Sequence, residues 1–109
     1  MPAMPGITEP AAREQLGTYR QQIDELDGQI LALLNHRAQV AEQIGDVKRA
    51  AGLPVVELSR EAAVVDKMVA RNAGPLTNFS VAEIYRAIML EMRRIQEVRA
   101  AQVAKGNES

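Results

Sequence analysis

Residues 16–47 read LGTYRQQIDELDGQILALLNHRAQVAEQIGDV. Leu16, Tyr19, Ile23, Leu26, Ile30, Leu33, Val40, Ile44 and Val47 recur there at alternating spacings of three and four, which puts them on one face of a helix. Position 37, where the same rule expects another apolar side chain, holds Arg37. A guanidinium cannot be discharged by shifting its pKa, so it sits on a buried seam only beside an anion or strong acceptors. Either this helix buries an ion pair, or it builds a pocket for a negatively charged small molecule.

The stripe places residues 16, 23, 30, 37 and 44 at one heptad position and 19, 26, 33, 40 and 47 at the other. It predicts a first helix over about 12–51, stopped by Gly52 and Pro54. A short extended link over 53–58 follows. Ser59 is the expected N-cap of a second helix that runs toward Arg71 and ends at Asn72-Ala73-Gly74-Pro75. Ser80 with Glu83 three residues on reads as a capping box. The third helix then carries Val81, Ile84, Tyr85, Ile88, Met92 and Ile95 on one face and is expected to fray after Val98. The organisation expected is a flexible tail over 1–11, one helical domain over 12–98 and a frayed tail over 99–109. The fold class is all-α, three helices without strands.

Forty helical residues span roughly 60 Å, about twice the diameter of a compact domain of this size. The second and third helices are too short to cover that length. A monomer would leave large apolar side chains in water, each costing roughly 1.5–3 kcal/mol. The sequence therefore predicts an intertwined, domain-swapped homodimer in which a second copy of the first helix covers the stripe.

Composition removes other classes. The chain has 109 residues, 47% hydrophobic and 25% charged, with a net charge of −1. That balance gives no electrostatic case for nucleic acid or an anionic membrane surface. With no cysteine there is no thiol nucleophile, disulfide or Cys-based zinc site. No run of 18 apolar residues exists to span a membrane, and the proline-bearing start MPAMPGITEPAA lacks the order of a signal peptide. The expected location is the cytoplasm.

The chemistry-bearing residues form one constellation. Arg20 and Lys48 share a heptad position flanking the seam, and Arg37 lies on the seam itself. Arg37 and Lys48 are about 16 Å apart along the helix, close enough for two long side chains to grip a small ligand between them. Arg20 and Lys48 are about 42 Å apart, which no side chains bridge. Arg20 reaches such a pocket only from a second, antiparallel copy. Arg60 and Glu61 open the second helix with Glu57 just ahead in the link, and Gln96 edges the apolar face of the third. Several cations, one or two carboxylates and a neutral amide suit a small ligand with two carboxylates and a hydroxyl.

The pattern Arg20-x-x-Ile23-Asp24-x-Leu26-Asp27, Leu33-Leu34-x-x-Arg37, Ile44-Gly45-x-x-Lys48, Pro54-Val55-x-Glu57-x-x-Arg60-Glu61 and Gln96 resembles the all-α chorismate mutases. The resemblance is collinear over about three quarters of the chain. It implies an intertwined dimer and the rearrangement of chorismate to prephenate in phenylalanine and tyrosine biosynthesis. No metal or organic cofactor is implied. Arg37, and Arg20 of the partner, would hold the substrate carboxylates, while Lys48 and Gln96 would donate to the ether oxygen. Glu61, with Glu57, would accept from the ring hydroxyl, and Arg60 would support the rim. Two positions depart from the family pattern. Met92 stands where the family commonly has a serine, and Glu57 where it has an aspartate. A methionine cannot donate that hydrogen bond, so the resemblance implies weaker substrate binding or compensation by a backbone amide or water.

Arg86, Arg93, Arg94 and Arg99 are expected to form the solvated face of the third helix, with His36, Asp24 and Asp27 at the surface. An isochorismate–pyruvate lyase on the same fold is the alternative enzyme. A non-catalytic module that binds such ligands or docks on another shikimate-pathway enzyme is the alternative class. An amide donates at any pH, whereas a carboxylic acid at position 96 would have to stay protonated. Activity should therefore persist above neutrality in a pH–rate profile; a steep loss between about pH 5 and 7 would exclude Gln96 from this role.

Overall fold

The computed structural model describes residues 6–108. Three helices account for most of them: α1 (Glu9–Ala51), α2 (Leu58–Arg71) and α3 (Asn78–Glu108). No strand occurs among the described residues. The chain divides into two compact units, residues 1–36 and residues 37–109.

In the first unit α1 starts three residues earlier than the sequence predicts. Thr8 caps it, its hydroxyl accepting from the Ala11 N–H at 3.3 Å and its carbonyl from the Ala12 N–H at 2.9 Å. The expected flexible tail over 1–11 is thus helical from Glu9 onward, and residues 1–5 lie outside the described ones. Neither Gly28 nor Gly45 breaks α1, since an interior glycine costs only about 1 kcal/mol relative to alanine. Leu16, Tyr19, Ile23, Leu26, Ile30 and Leu33 are 47–67% exposed in the single chain.

In the second unit the end of α1, α2 and α3 surround a small core of Ala41, Val65, Val81, Ala82, Met89 and Met92. The C-terminus of α1 is a Schellman turn. Gly52 adopts φ +68°, its N–H reaches the Arg49 carbonyl at 3.2 Å, and the Leu53 N–H reaches the Lys48 carbonyl at 2.8 Å. Only glycine takes that φ without strain, and the turn sends the chain back along the helix it has just left. At Gly45 an added Cβ would stand 3.2 Å from Cγ of Gln96, so the missing side chain lets α3 close on α1 there. Near the same level Asp46 accepts from Arg49 on its own helix and from Arg99 on α3, the latter at 3.5 Å.

The caps of α2 and α3 differ from those expected. Glu57, not Ser59, precedes α2, and it makes no side-chain cap; Ser59 is already helical. Thr77, not Ser80, caps α3, its hydroxyl accepting from the Ser80 N–H at 3.1 Å and donating to the Ser80 hydroxyl at 3.0 Å. The Thr77 side chain sits three residues ahead of the N–H that needs it, and Glu83 is left to pair with Arg86. Between the helices Asn72 ties the turn, donating to the Leu76 carbonyl at 2.8 Å and accepting from the Gly74 N–H at 3.0 Å. α3 continues to Glu108, through the segment expected to fray after Val98, because alanine, glutamine and lysine there favour helix even without an apolar face.

Burial works to raise the Asp46 pKa, but the hydrogen bonds and charges of Arg99 and Arg49 outweigh it and hold the carboxyl below its ordinary value of 3.8. Because the folded value is the lower one, the unfolded chain binds more protons in the window between them. The contribution of this cluster is fully present above pH 3.8 and is lost as pH falls through the folded value. Chemical denaturation across acid pH should show this loss, and Asp46→Asn should flatten that part of the profile. An unchanged slope in the variant would refute the assignment.

Candidate functional site

Three helix faces in the second unit converge on one cleft of about 340 Å³. α1 contributes Arg37, Val40, Ala41, Ile44 and Lys48; the link and α2 contribute Val55, Glu57, Arg60, Glu61 and Val64; α3 contributes Met89, Met92, Arg93 and Gln96. Within each helix every lining position has another three or four residues away, the spacing that stacks side chains on one face. Seven of the eight residues expected at the site therefore meet in one place: Arg37, Lys48, Glu57, Arg60, Glu61, Met92 and Gln96. Arg20, the eighth, belongs to the first unit, is exposed and is not among the lining residues.

Lys48 is fixed by the reversal at Gly52. Its ammonium donates to the Val55 carbonyl at 3.1 Å and pairs with the Glu57 carboxylate at 3.2 Å, while its side chain is only 16% exposed. Three N–H groups serve two protein acceptors, so one is left for a ligand.

Arg37 is half-buried and has no hydrogen-bond or ion-pair partner among the described residues. The ion-pair alternative for the cation in the stripe therefore finds no support among the described residues. Gln96 is 8% exposed, and its Oε1 is buried with no partner among the described residues. A buried polar atom left unpaired costs roughly 1–3 kcal/mol, and in a native structure it calls for an explanation such as a ligand or bound water.

Arg93, which the arginine run assigns to the solvated face of α3, lies in the cleft instead. Its Nε donates to Glu61 Oε1 at 3.1 Å and Oε2 at 2.8 Å, and its Nη2 donates to Oε1 at 2.7 Å. The hydrogen bonding of Arg93 to the Glu61 carboxylate is the main cause of an Arg93 pKa above its already high ordinary value; partial burial opposes it, and the Glu61 and Glu97 charges add to it. The signal lies in the spacing, since residue 93 precedes Gln96 by three and shares its face. Arg86 and Arg94, by contrast, pair with Glu83 and Glu91 on their own helix at the surface, as the solvated face predicts.

The cleft thus holds four cations, Arg37, Lys48, Arg60 and Arg93, against two carboxylates, Glu57 and Glu61. Two positive charges remain in excess beside walls of valine, isoleucine and methionine. Such a site attracts a small dianion, because charge interactions strengthen where water is partly displaced. No cluster of metal-ligating side chains occurs among the described residues, and no described helix is long and apolar enough to cross a membrane.

Comparison with known proteins gives this geometry a context. A bifunctional chorismate mutase/prephenate dehydratase of Neisseria gonorrhoeae is 40% identical over 83 residues, covering 76% of this chain and 22% of that protein. The corresponding protein of Aquifex aeolicus is 36% identical over 80 residues, again covering 22% of its length. The chain thus spans about a fifth of these bifunctional relatives. An intracellular chorismate mutase of Mycobacterium tuberculosis is 40% identical over 53 residues, covering about half of each chain. The solved structure of chorismate mutase (form II) from Thermus thermophilus matches with a TM-score of 0.75 at 24% identity, covering 76% of this chain and 94% of that one, which bears on the fold alone. Residues 19–97 match the family described as chorismate mutase type II, and the chain belongs to that family.

Proposed function

We propose that this cleft binds chorismate and catalyses its rearrangement to prephenate. The observation that carries the reading is the combination of two unneutralised positive charges with the Gln96 amide, 8% exposed, whose NH2 group makes no hydrogen bond among the described residues and is left to donate. Chorismate brings two carboxylates, an ether oxygen and a ring hydroxyl, one for each kind of group in the cleft. Arg37 takes a carboxylate through its planar fork. Lys48 and Gln96 donate to the ether oxygen, and Glu61 accepts from the ring hydroxyl. Glu57 steadies Lys48, Arg60 supports the rim, and Met92 lines the apolar wall.

The step is intramolecular. The carbon–oxygen bond of the ether breaks while a carbon–carbon bond forms in the same molecule, so no atom or electron is exchanged with the protein. The protein can then act in two ways: by holding the compact conformer in which the bonding carbons meet, and by stabilising the negative charge that grows on the ether oxygen. Donors fixed in advance do this at little cost in reorganisation. The Lys48 ammonium, held by Val55 and Glu57, meets that requirement.

A second copy of the chain completes the reading. Leu16, Tyr19, Ile23, Leu26, Ile30 and Leu33, which share one helix face and stand 47–67% exposed, are the surface such a copy covers. In an antiparallel pairing it brings its own Arg20 to the other carboxylate of the substrate. Each cleft then takes Arg37 from one chain and Arg20 from the other.

Purified protein should consume chorismate and leave isochorismate untouched, followed by substrate loss. Turnover of isochorismate alone would favour the lyase, and turnover of neither would leave a binding module. Arg37→Ala should lower kcat/KM by on the order of 100-fold or more while helicity is retained. Arg20→Ala and Arg37→Ala proteins, each impaired, should regain about a quarter of the native activity when unfolded and refolded together, because each hybrid dimer keeps one intact site. No recovery would count against the shared site. Gly45→Ala should push Gln96 by a few tenths of an ångström and lower kcat more than it raises KM; a purely structural glycine would change only the melting temperature.

A further inference from the structure

Glu61 is asked to accept from the substrate hydroxyl, yet a glutamate in the first turn of a helix has several torsions to fix. As a bare carboxylate it would also repel a dianion. The Arg93 fork answers both problems. We propose that Arg93 is a positioning residue that holds and neutralises the Glu61 carboxylate, leaving one of its lone pairs to receive the ring hydroxyl. The proposal rests on the chorismate reading of the cleft.

The contacts support this role in detail. Two ionised oxygens offer about four acceptor positions. Arg93 fills three of them, two on Oε1 and one on Oε2, so the free position is on Oε2. The pair spans 32 positions of sequence and joins α2 to α3. With Glu61 19% and Arg93 34% exposed, it is drier than the surface pairs at Glu83 and Glu91. A planar guanidinium fixes the orientation of a carboxylate as well as its distance, which an ammonium does not. Glu61, Met89 and Arg93 also line a neighbouring groove of about 450 Å³, so the pair forms part of the wall between that groove and the cleft.

A double-mutant cycle on kcat/KM for chorismate tests this. Arg93→Met should lower kcat/KM at least about fivefold in the native background and by less than about twofold when Glu61→Gln is already present. Arg93→Lys should restore charge but only part of the loss. Equal losses in both backgrounds, or no loss in the native one, would overturn the proposal. Circular dichroism checks each variant for helicity; if Arg93→Met does not fold, the same cycle run with Arg93→Lys decides. The Arg93 Nε–H resonance provides a readout independent of turnover. It should exchange slowly with water in the native protein and fast in Glu61→Gln. A protein that turns over no chorismate but keeps the slow resonance would refute the functional reading alone. Turnover without coupling would refute the role of Arg93 alone.

Discussion

Arginine keeps its charge at every pH a folded protein meets, and that constraint organises this molecule. Arg37 interrupts an apolar helical face, and no carboxylate among the described residues comes to meet it. The remaining lining groups are arranged so that its charge stays uncompensated. Lys48 is matched by Glu57 and Arg93 by Glu61, leaving Arg37 and Arg60 without partners among the described residues. A protein that needed only stability would have placed a leucine at position 37. The arginine is retained at a cost in self-energy that an anionic ligand removes, which is why the cleft reads as a binding site and not as a fault in packing.

Two glycines allow the rest of the scaffold to serve this charge arrangement. Gly52 reverses the chain so that a backbone carbonyl and a carboxylate return to Lys48. Gly45 lets α3 approach closely enough to bury the Gln96 amide. The Asp46, Arg49 and Arg99 cluster joins the same helices beside Gly45, and the Arg93–Glu61 fork joins α2 to α3. These polar contacts matter because the core of the second unit is small, built from alanine, valine and methionine.

Much of the site is legible in the sequence because its residues lie on faces with helical spacing: 37, 41, 44 and 48 on α1, 60, 61 and 64 on α2 with 57 just ahead of it, and 92 and 96 on α3. Arg93 escapes because a run of arginines looks like a solvated face, even though its spacing of three from Gln96 puts it on the same side of α3. Its partner lies 32 positions away, and a contact at that range depends on how α2 packs on α3. The cap of α3 is ambiguous for a local reason, since Thr77 and Ser80 are both hydroxyl residues and only the N–H that lacks a partner decides between them. The length of α3 exceeds expectation because an apolar face is not a condition for helix, and the segment after Val98 is sustained by backbone propensity. The exposed face between Leu16 and Leu33 is legible as a surface in need of a cover, and the single chain leaves it uncovered.

The contact between Lys48 and the Val55 carbonyl bears on how this protein can vary. Every residue carries a carbonyl, so no replacement of the side chain at position 55 removes that acceptor. The path of the chain through Gly52 sets where it lies. The side chains at 53, 54 and 56, which do not line the cleft, can thus vary in chemistry while the ammonium keeps its place. The information that positions the lysine is stored in a backbone torsion, at a residue that never touches it.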